Sequence, residues 1–364
     1  MKILILSGAF PPDKCGVGDY TSKLYDALLK TKVDGDIYLL SSHELLKNGK
    51  RVSLRPKPLL WNFFEVKQII REIKQINPDI INLQFPTARY RMSVSILFLV
   101  FFLKQLGFRI VTTLHEYSFS PKLAQLRTNF IIMSSDKLIV VDEKYKSDIA
   151  NRKLCESKSI LYIPIGSNIE RSELDAAGIQ KVRGQYLTTK GLLIGYFGFI
   201  FPAKGIESFI KLGKSLKQQN RNFKIVIAAE LNSKNSYHQQ LKKLIQMSNL
   251  DEDLVVTGYL PANKIADILK SMDVVIFPFT HGISTKNGSV LAALNQGVNV
   301  ISTKSDRVQD SPYRQLHLID HYMNSEQIVD IINNHLVFNN SEDVITWDEI
   351  GKSTIDFLVT GVKK

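Results

Sequence analysis

Short, continuous runs of Ile, Val and Leu recur down this chain, with helical stretches between them. In the first half they fall at 2–7, 36–42, 79–85, 109–115, 137–142 and 159–165. In the second half they fall at 192–199, 223–229, 254–260, 273–279, 299–303 and 316–320. Runs that are apolar on consecutive residues suit strands covered on both faces. Alternation of such strands with helices builds parallel sheets joined by right-handed crossovers, so the expected fold class is α/β. A chain of 364 residues exceeds what one hydrophobic core usually fills. Two Rossmann-like domains are therefore expected, 1–168 and 169–346, facing each other across a cleft. The pattern lapses between Ser167 and Gly191 into a charged helix and a glycine-containing link, which sets the boundary. A last helical stretch, Trp347 to Val359 within 347–364, is expected to return to the first domain.

Two loops carry the chemistry. The run Lys2 to Leu6 reads as a buried strand, and a loop from Gly8 to Gly18 follows it, with a helix from about Asp19. The second device is Phe277-Pro278-Phe279-Thr280-His281-Gly282-Ile283-Ser284-Thr285-Lys286-Asn287-Gly288-Ser289, between a buried strand and a helical run that stops at Gly297. Where a strand gives way to a Gly/Ser/Lys loop and then a helix start, free backbone N–H groups can face an anion.

Charge is unevenly shared. Residues 1–170 hold 25 Lys+Arg against 16 Asp+Glu, a net of +9, and the remainder hold 22 against 19, a net of +3. A basic first half fits an anionic partner such as a phospholipid surface, a lipid pyrophosphate or nucleic acid; a lysine-rich soluble surface is the other reading. No recognition motif interleaves Lys/Arg with aromatics, so a nucleic-acid role is not expected. Two cysteines far apart, Cys15 and Cys155, argue for a reducing compartment and against a disulfide scaffold. The chain enters a strand directly, so no leader is expected and the localisation reads as cytoplasmic. The run Ile96 to Leu103 is apolar all round, with Arg89 and Arg91 before it and Lys104 and Arg109 after it. It is too short to span a bilayer, which needs about 20 residues. It is either an interfacial segment, consistent with peripheral attachment to a membrane, or a helix buried against the sheet.

Several motifs, in order, resemble the retaining nucleotide-sugar glycosyltransferases of family 4, which have the GT-B fold. They are Phe10-Pro11-Pro12 with Gly16-Val17-Gly18, Thr112-Thr113-Leu114-His115-Glu116, and Ile163-Pro164-Ile165-Gly166. They continue with Gly195-Tyr196-Phe197-Gly198 and Lys204-Gly205, Val256 to Pro261, Asp273 to Pro278, and Ala292 to Ile301. The resemblance covers nearly the whole chain. It implies transfer of a sugar from a nucleotide diphosphate donor to an acceptor hydroxyl with retention. Helix N-termini and basic side chains would carry the diphosphate charge, so neither metal nor other cofactor is expected. The donor would sit mainly on the second domain and the acceptor, a glycan or lipid-linked glycan, mainly on the first.

On this resemblance His115 and Glu116 become reaction-centre or acceptor-side residues; a core histidine and a capping glutamate are the alternatives. Gly16, Val17 and Gly18 would offer amides to the diphosphate or the sugar, or simply form a tight turn. Lys204 matches the family's phosphate-binding lysine. The family's arginine after the glycine equivalent to Gly198 is here Phe199, and Lys286 is the candidate substitute. The family's two donor-site glutamates are absent: Ser284, or Gly282 in another register, and Ala292 stand there. Asn287, Gly288 and Ser289 remain donors to the diphosphate, and Glu230 either contacts the nucleotide or lies in a surface loop. The Asp34-Gly35-Asp36 and Asp251-Glu252-Asp253 pairs read as turns. The leading expectation is a hexosyltransferase of surface polysaccharide assembly (capsule or O-antigen). The alternative is a degenerate relative that binds nucleotide or glycan without turnover. The first loop lacks a Gly-x-Gly-x-x-Gly fingerprint, which argues against a dehydrogenase.

Overall fold

The computed structural model describes residues 1–13, 15–31, 33–90, 93–117, 122–151, 158–306, 308, 311, 313–320, 325–336 and 344–361. Lys14, Arg91 and Cys155, used in the sequence reading, lie outside these residues. The chain divides into two compact units, Met1–Gly166 with Ile345–Lys364, and Ser167–Val344.

In the first unit the strands are β1 (Lys2–Ser7), β2 (Asp36–Leu40), β3 (Glu44–Lys47), β4 (Lys50–Leu54), β5 (Ile80–Phe85), β6 (Ile110–Leu114), β7 (Lys137–Val140) and β8 (Ser159–Tyr162). Its helices are α1 (Gly16–Lys30), α2 (Phe63–Ile76), α3 (Ser95–Gln105), α4 (Lys122–Ser134) and α5 (Glu143–Ala150). The sheet order is β4-β3-β2-β1-β5-β6-β7-β8. The six strands read from the sequence pair in parallel, with Leu4 beside Tyr38 on one side and Ile81 on the other. The antiparallel hairpin β3–β4 was not expected. Every residue of β4 is exposed, so it carries no apolar run. Its signal was the turn Asn48-Gly49, which takes positive φ at both residues, as a two-residue hairpin requires.

Alternate residues of the central strands feed two cores. Leu4, Leu6, Ile81, Leu83 and Phe85 pack with α2, α3, α4 and α5. Ile3, Ile5, Ile37, Leu39 and Ile80 pack with α1. Helix α2 shows how the sequence sets an element. Asn62 and Glu65 form a reciprocal capping box, Val66, Ile69, Ile73 and Ile76 make the buried stripe, and left-handed Asn77 ends it.

The second unit contains α6 (Ala176–Gly184), β9 (Leu192–Phe197), a 3-10 turn at Pro202–Lys204, α7 (Ile206–Gln218), β10 (Phe223–Ala228) and α8 (Ser236–Met247). It continues with β11 (Leu254–Val256), α9 (Ala262–Ser271), β12 (Val274–Phe277), α10 (Gly288–Asn295), β13 (Asn299–Thr303), β14 (Leu316–Ile319) and α11 (Ser325–Asn334). Its parallel sheet runs β11-β10-β9-β12-β13-β14. The terminal helix α12 (Trp347–Val359) packs on α1, burying Ile350, Ile355 and Leu358 in the same core as Leu24 and Leu28. Gly351 makes this approach close, because a Cβ there would lie 2.9 Å from the Ala27 Cβ.

The run Ile96 to Leu103 forms most of α3 and is buried on one side only. Ile96, Leu99, Val100 and Leu103 face the core, whereas Phe98, Phe101 and Phe102 are exposed. Among the described residues no helix is long and apolar enough to cross a membrane.

Candidate functional site

In each sheet the strand order reverses once, and parallel α/β sheets bind ligands at the carboxyl edge beside such a switch point. In the second unit the switch lies between β9 and β12. Gly198, Lys204, Ser284, Asn287, Gly288 and Ser289, all singled out from sequence, lie along that edge. Gly198 leaves β9 with φ +129, a backbone conformation that favours glycine, and it faces Ser289 at the start of α10. Helix α10 begins at Gly288 with no side chain capping it. The residue placed to cap it, Asn287, turns its Oδ1 back to accept from the Ser284 N–H (2.6 Å) and Oγ–H (2.9 Å). The Val290 and Leu291 N–H groups donate to the Asn287 carbonyl (2.9 and 3.1 Å), which leaves the Gly288 and Ser289 amides, at the positive end of the helix dipole, to face an external acceptor.

Lys204 ends the 3-10 turn, and Gly205 behind it has φ +66 and lies against the Pro278 carbonyl. The Thr280 N–H donates to the Ala203 carbonyl (3.1 Å), so the turn is docked on the segment after β12. The Lys204 ammonium lies over two aromatic rings, 4.4 Å from the Phe279 centroid and 5.1 Å from that of Phe201. Burial pushes its pKa down to about 8. No carboxylate among the described residues pairs with it. A partly desolvated cation with no carboxylate partner among the described residues, on the same sheet edge as an uncapped helix start, has the chemistry that suits an anion.

Other candidates take different roles. Gly282 (φ +71) packs on the Lys304 carbonyl as a turn residue, and the Ile283 N–H bonds the Thr303 carbonyl. Ser284 is half-buried and spent on Asn287. Ala292 is fully buried within α10. Phe199 is 58% exposed and supplies no cation. Lys286 is half-buried on the loop before α10 and has a partner of its own. Glu230 is exposed beyond the end of β10, also partnered. The Asp-x-Asp pairs lie at the opposite strand ends, where Asp36 binds Lys47 (2.9 Å) and Asp253 binds Lys217 (2.7 Å).

In the first unit the switch lies between β1 and β5. The loop after β1 packs tightly: a Cβ on Gly18 would lie 3.2 Å from the Phe10 nitrogen, whereas Gly16 faces open space. Helix α1 also begins without a side-chain cap, at Cys15, so Gly16 and Val17 open an unblocked helix start. The loop is held by residues that the sequence reading missed. Asp13 accepts from Arg89 Nη2 (2.5 Å) and Nε (3.2 Å), and His43 Nε2 lies 3.1 Å away. Burial pushes the Asp13 pKa up, but hydrogen bonds and charge from Arg89 and His43 outweigh it and hold it below the usual carboxylate value.

His115 follows β6 and is buried, with Tyr20 edge-on to it at 4.7 Å. Its Nε2 lies 2.9 Å from Gln84 Oε1. A chain of amides fixes who donates. Asn82 Nδ2 donates to the Val111 carbonyl (3.1 Å), which can only accept, and to Thr113 Oγ1 (3.0 Å). Asn82 Oδ1 therefore accepts from Gln84 Nε2 (2.6 Å), which turns Gln84 Oε1 toward the imidazole. His115 is thereby held with a proton on Nε2, donated to Gln84 Oε1. Two buried amides at alternate positions of an otherwise apolar strand, Asn82 and Gln84, were the available signal. Glu116 beside it is half-buried and partnered. His238, also missed, supports the second site: its Nε2 donates to the Ile200 carbonyl (2.9 Å) and its Nδ1 accepts from the Asn232 N–H (2.9 Å).

Residues 179–342 match the family model of glycosyl transferases group 1. The structure is similar to sucrose-phosphate synthase from Thermosynechococcus elongatus, at TM-score 0.71 and 15% identity over 98% of this chain and 94% of that one. It is similar to HepE of Anabaena in complex with UDP and glucose, at TM-score 0.70 and 15% identity over 99% of this chain and 100% of that one. UDP-GlcNAc 2-epimerase from Methanocaldococcus jannaschii matches at TM-score 0.63 and 12% identity over 99% and 100%. No curated protein sequence matches the chain. The chain thus has the two-domain α/β architecture of the GT-B proteins, with the family match lying in the unit that holds the Lys204 site.

Proposed function

We propose that this chain is a retaining glycosyltransferase of the family 4 type. It would move a hexose from a nucleotide diphosphate sugar to a hydroxyl of a lipid-linked glycan in surface polysaccharide assembly. The observation that carries the reading is Lys204, a half-buried ammonium with no carboxylate partner among the described residues, on the same sheet edge as the uncapped start of α10, in a domain that matches glycosyl transferases group 1. A diphosphate fits there: the Gly288 and Ser289 amides take its oxygens, and Lys204 answers the charge that grows as the anomeric C–O bond breaks. The acceptor oxygen forms the new bond to the anomeric carbon as the bond to the diphosphate breaks, and its proton passes to an oxygen of the departing diphosphate. On the first domain His115, held through Nε2 by Gln84, is the acceptor-side residue. UDP in the HepE complex is a donor fragment of the same chemical kind.

Because protein groups supply the counter-charge, transfer is expected to persist in excess EDTA. Loss of activity restored by Mg²⁺ would contradict that part of the reading. The direct test incubates the purified protein with a panel of nucleotide sugars and lipid-linked acceptors and reads the product's anomeric configuration by NMR. Retention supports the proposal and inversion overturns it. His115→Ala and Lys204→Ala are each expected to lower transfer at least tenfold, about 1.4 kcal/mol of barrier, with circular dichroism unchanged.

A second reading, a protein that binds the nucleotide without turnover, is favoured by one observation. Ala292 is fully buried where the family carries a ribose-gripping carboxylate. Tight binding of a nucleotide sugar with no transfer to any acceptor would select it.

A further inference from the structure

We propose that the outer surface of the α2–α3–α4 layer seats in the headgroup region of an anionic phospholipid bilayer. The inference concerns the first domain alone and rests on no assumption about the reaction. The three helices lie side by side on one face of the sheet, with inner stripes that fill its core. Their outer stripes point away from that sheet and are apolar too. Phe63 and Phe64 stand at the start of α2, Phe98 and Phe102 on α3, and Leu123 and Leu126 on α4, all exposed. Phe64 is 91% exposed, and the Phe63 and Phe98 rings meet edge-on at 5.5 Å, joining the stripes of two helices. Scattered exposed apolar side chains are ordinary, but a continuous layer of them marks an interaction surface.

Charge selects the occupant. Residues 86–135 carry six Lys or Arg and one acidic residue, Glu116, and neither α3 nor α4 contains any acid. Lys104 is answered by Asp136 at 2.7 Å, and Arg89 by Asp13, so the free positive charge comes from elsewhere on the layer. On α2 the exposed stripe runs on from Phe64 through Lys67, Arg71 and Lys74, and Lys122 opens α4. Apolar rings beside a basic flank are the composition of an interfacial helix. A second copy of the chain would bring like charges together with no acid on α3 or α4 to pair them. At 11 residues α3 lies along such a surface rather than crossing it.

The test is co-sedimentation of the full chain with vesicles of phosphatidylcholine alone or mixed with phosphatidylglycerol. Binding is expected to the mixed vesicles, weakening as salt rises. The double variant Phe64→Ser, Phe98→Ser should lose at least about tenfold in partitioning. The triple variant Lys67→Gln, Arg71→Gln, Lys74→Gln should lose the preference for the anionic lipid. Circular dichroism checks that both remain folded. Wild-type protein left in the supernatant with both vesicle types would overturn the proposal, as would phenylalanine variants that bind like wild type. So would a dimer in sedimentation velocity that those variants abolish, without vesicle binding, since it would assign the face to a second copy. A failure here leaves the donor site untouched, because the vesicles contain no sugar nucleotide.

Discussion

Lys204 is the residue on which the donor site turns, and its burial has consequences for stability as well as binding. Its folded pKa of about 8 lies below the ordinary 10.5. Between those values the unfolded chain binds more protons than the folded one, so stability rises with pH across that window. Below about pH 8 the folded protein carries the full cost of the buried charge. Lys204→Met is therefore expected to melt higher than wild type near pH 7, with the gap narrowing as pH rises through about 8 and closing only above about pH 10.5. A gap that is constant with pH would mean that the ammonium is well solvated. His115 makes a second case. Gln84→Leu removes the acceptor on Nε2, so ¹⁵N NMR should show a mixture of imidazole tautomers where wild type shows only the Nε2–H form. Gln84→Glu, which can still accept, should restore that form. A wild-type spectrum in the leucine variant would show that the amide chain does not orient the ring.

At the scale of elements, α10 is a helix whose N-terminus is kept open because its cap residue is occupied elsewhere. Asn287→Asp keeps both hydrogen bonds from Ser284 but puts a resident negative charge at the helix start. It should raise the melting temperature slightly through the helix dipole and weaken nucleoside diphosphate binding about five- to tenfold. Equal affinity in the variant and wild type would move the anion away from α10. The return of α12 is a separate matter of packing. Leu358 is fully buried against the first domain, so Leu358→Ala should destabilise that domain by about 2–5 kcal/mol in urea unfolding. An unchanged transition would mean that the terminal helix adds little.

At the scale of the whole molecule, legibility followed burial. The doubly covered strands such as β1, β5 and β12 show as apolar runs because both faces must be dry, and the α/β class follows from their spacing. The β3–β4 hairpin escaped because an exposed edge strand needs no apolar pattern, and only Asn48-Gly49 marked its turn. At the proposed donor site, Gly198, Lys204 and the start of α10 were legible as candidates because glycine, lysine and a helix start have backbone or charge roles tied to sequence order. The polar chain of Asn82, Gln84 and His115 could not, since it links neighbouring strands that lie about thirty residues apart. The same holds for Asp13 with Arg89, 76 positions away, and for His238 under the 198–204 loop. Helix α3 read as either buried or interfacial because its sequence is apolar all round. In the structure one side is buried and the other exposed.

The central claim is that the second domain holds a nucleoside diphosphate on Lys204 and the first turn of α10. Calorimetric titration of UDP and the other nucleoside diphosphates, near pH 8.5 in two buffers of different ionisation enthalpy, tests it most directly. The account predicts binding of at least one of them with net proton uptake, because the arriving anion restores the charge on Lys204, and loss of that uptake in Lys204→Met. Binding of equal strength and proton count in the methionine variant, or no binding of any nucleoside diphosphate, would contradict it.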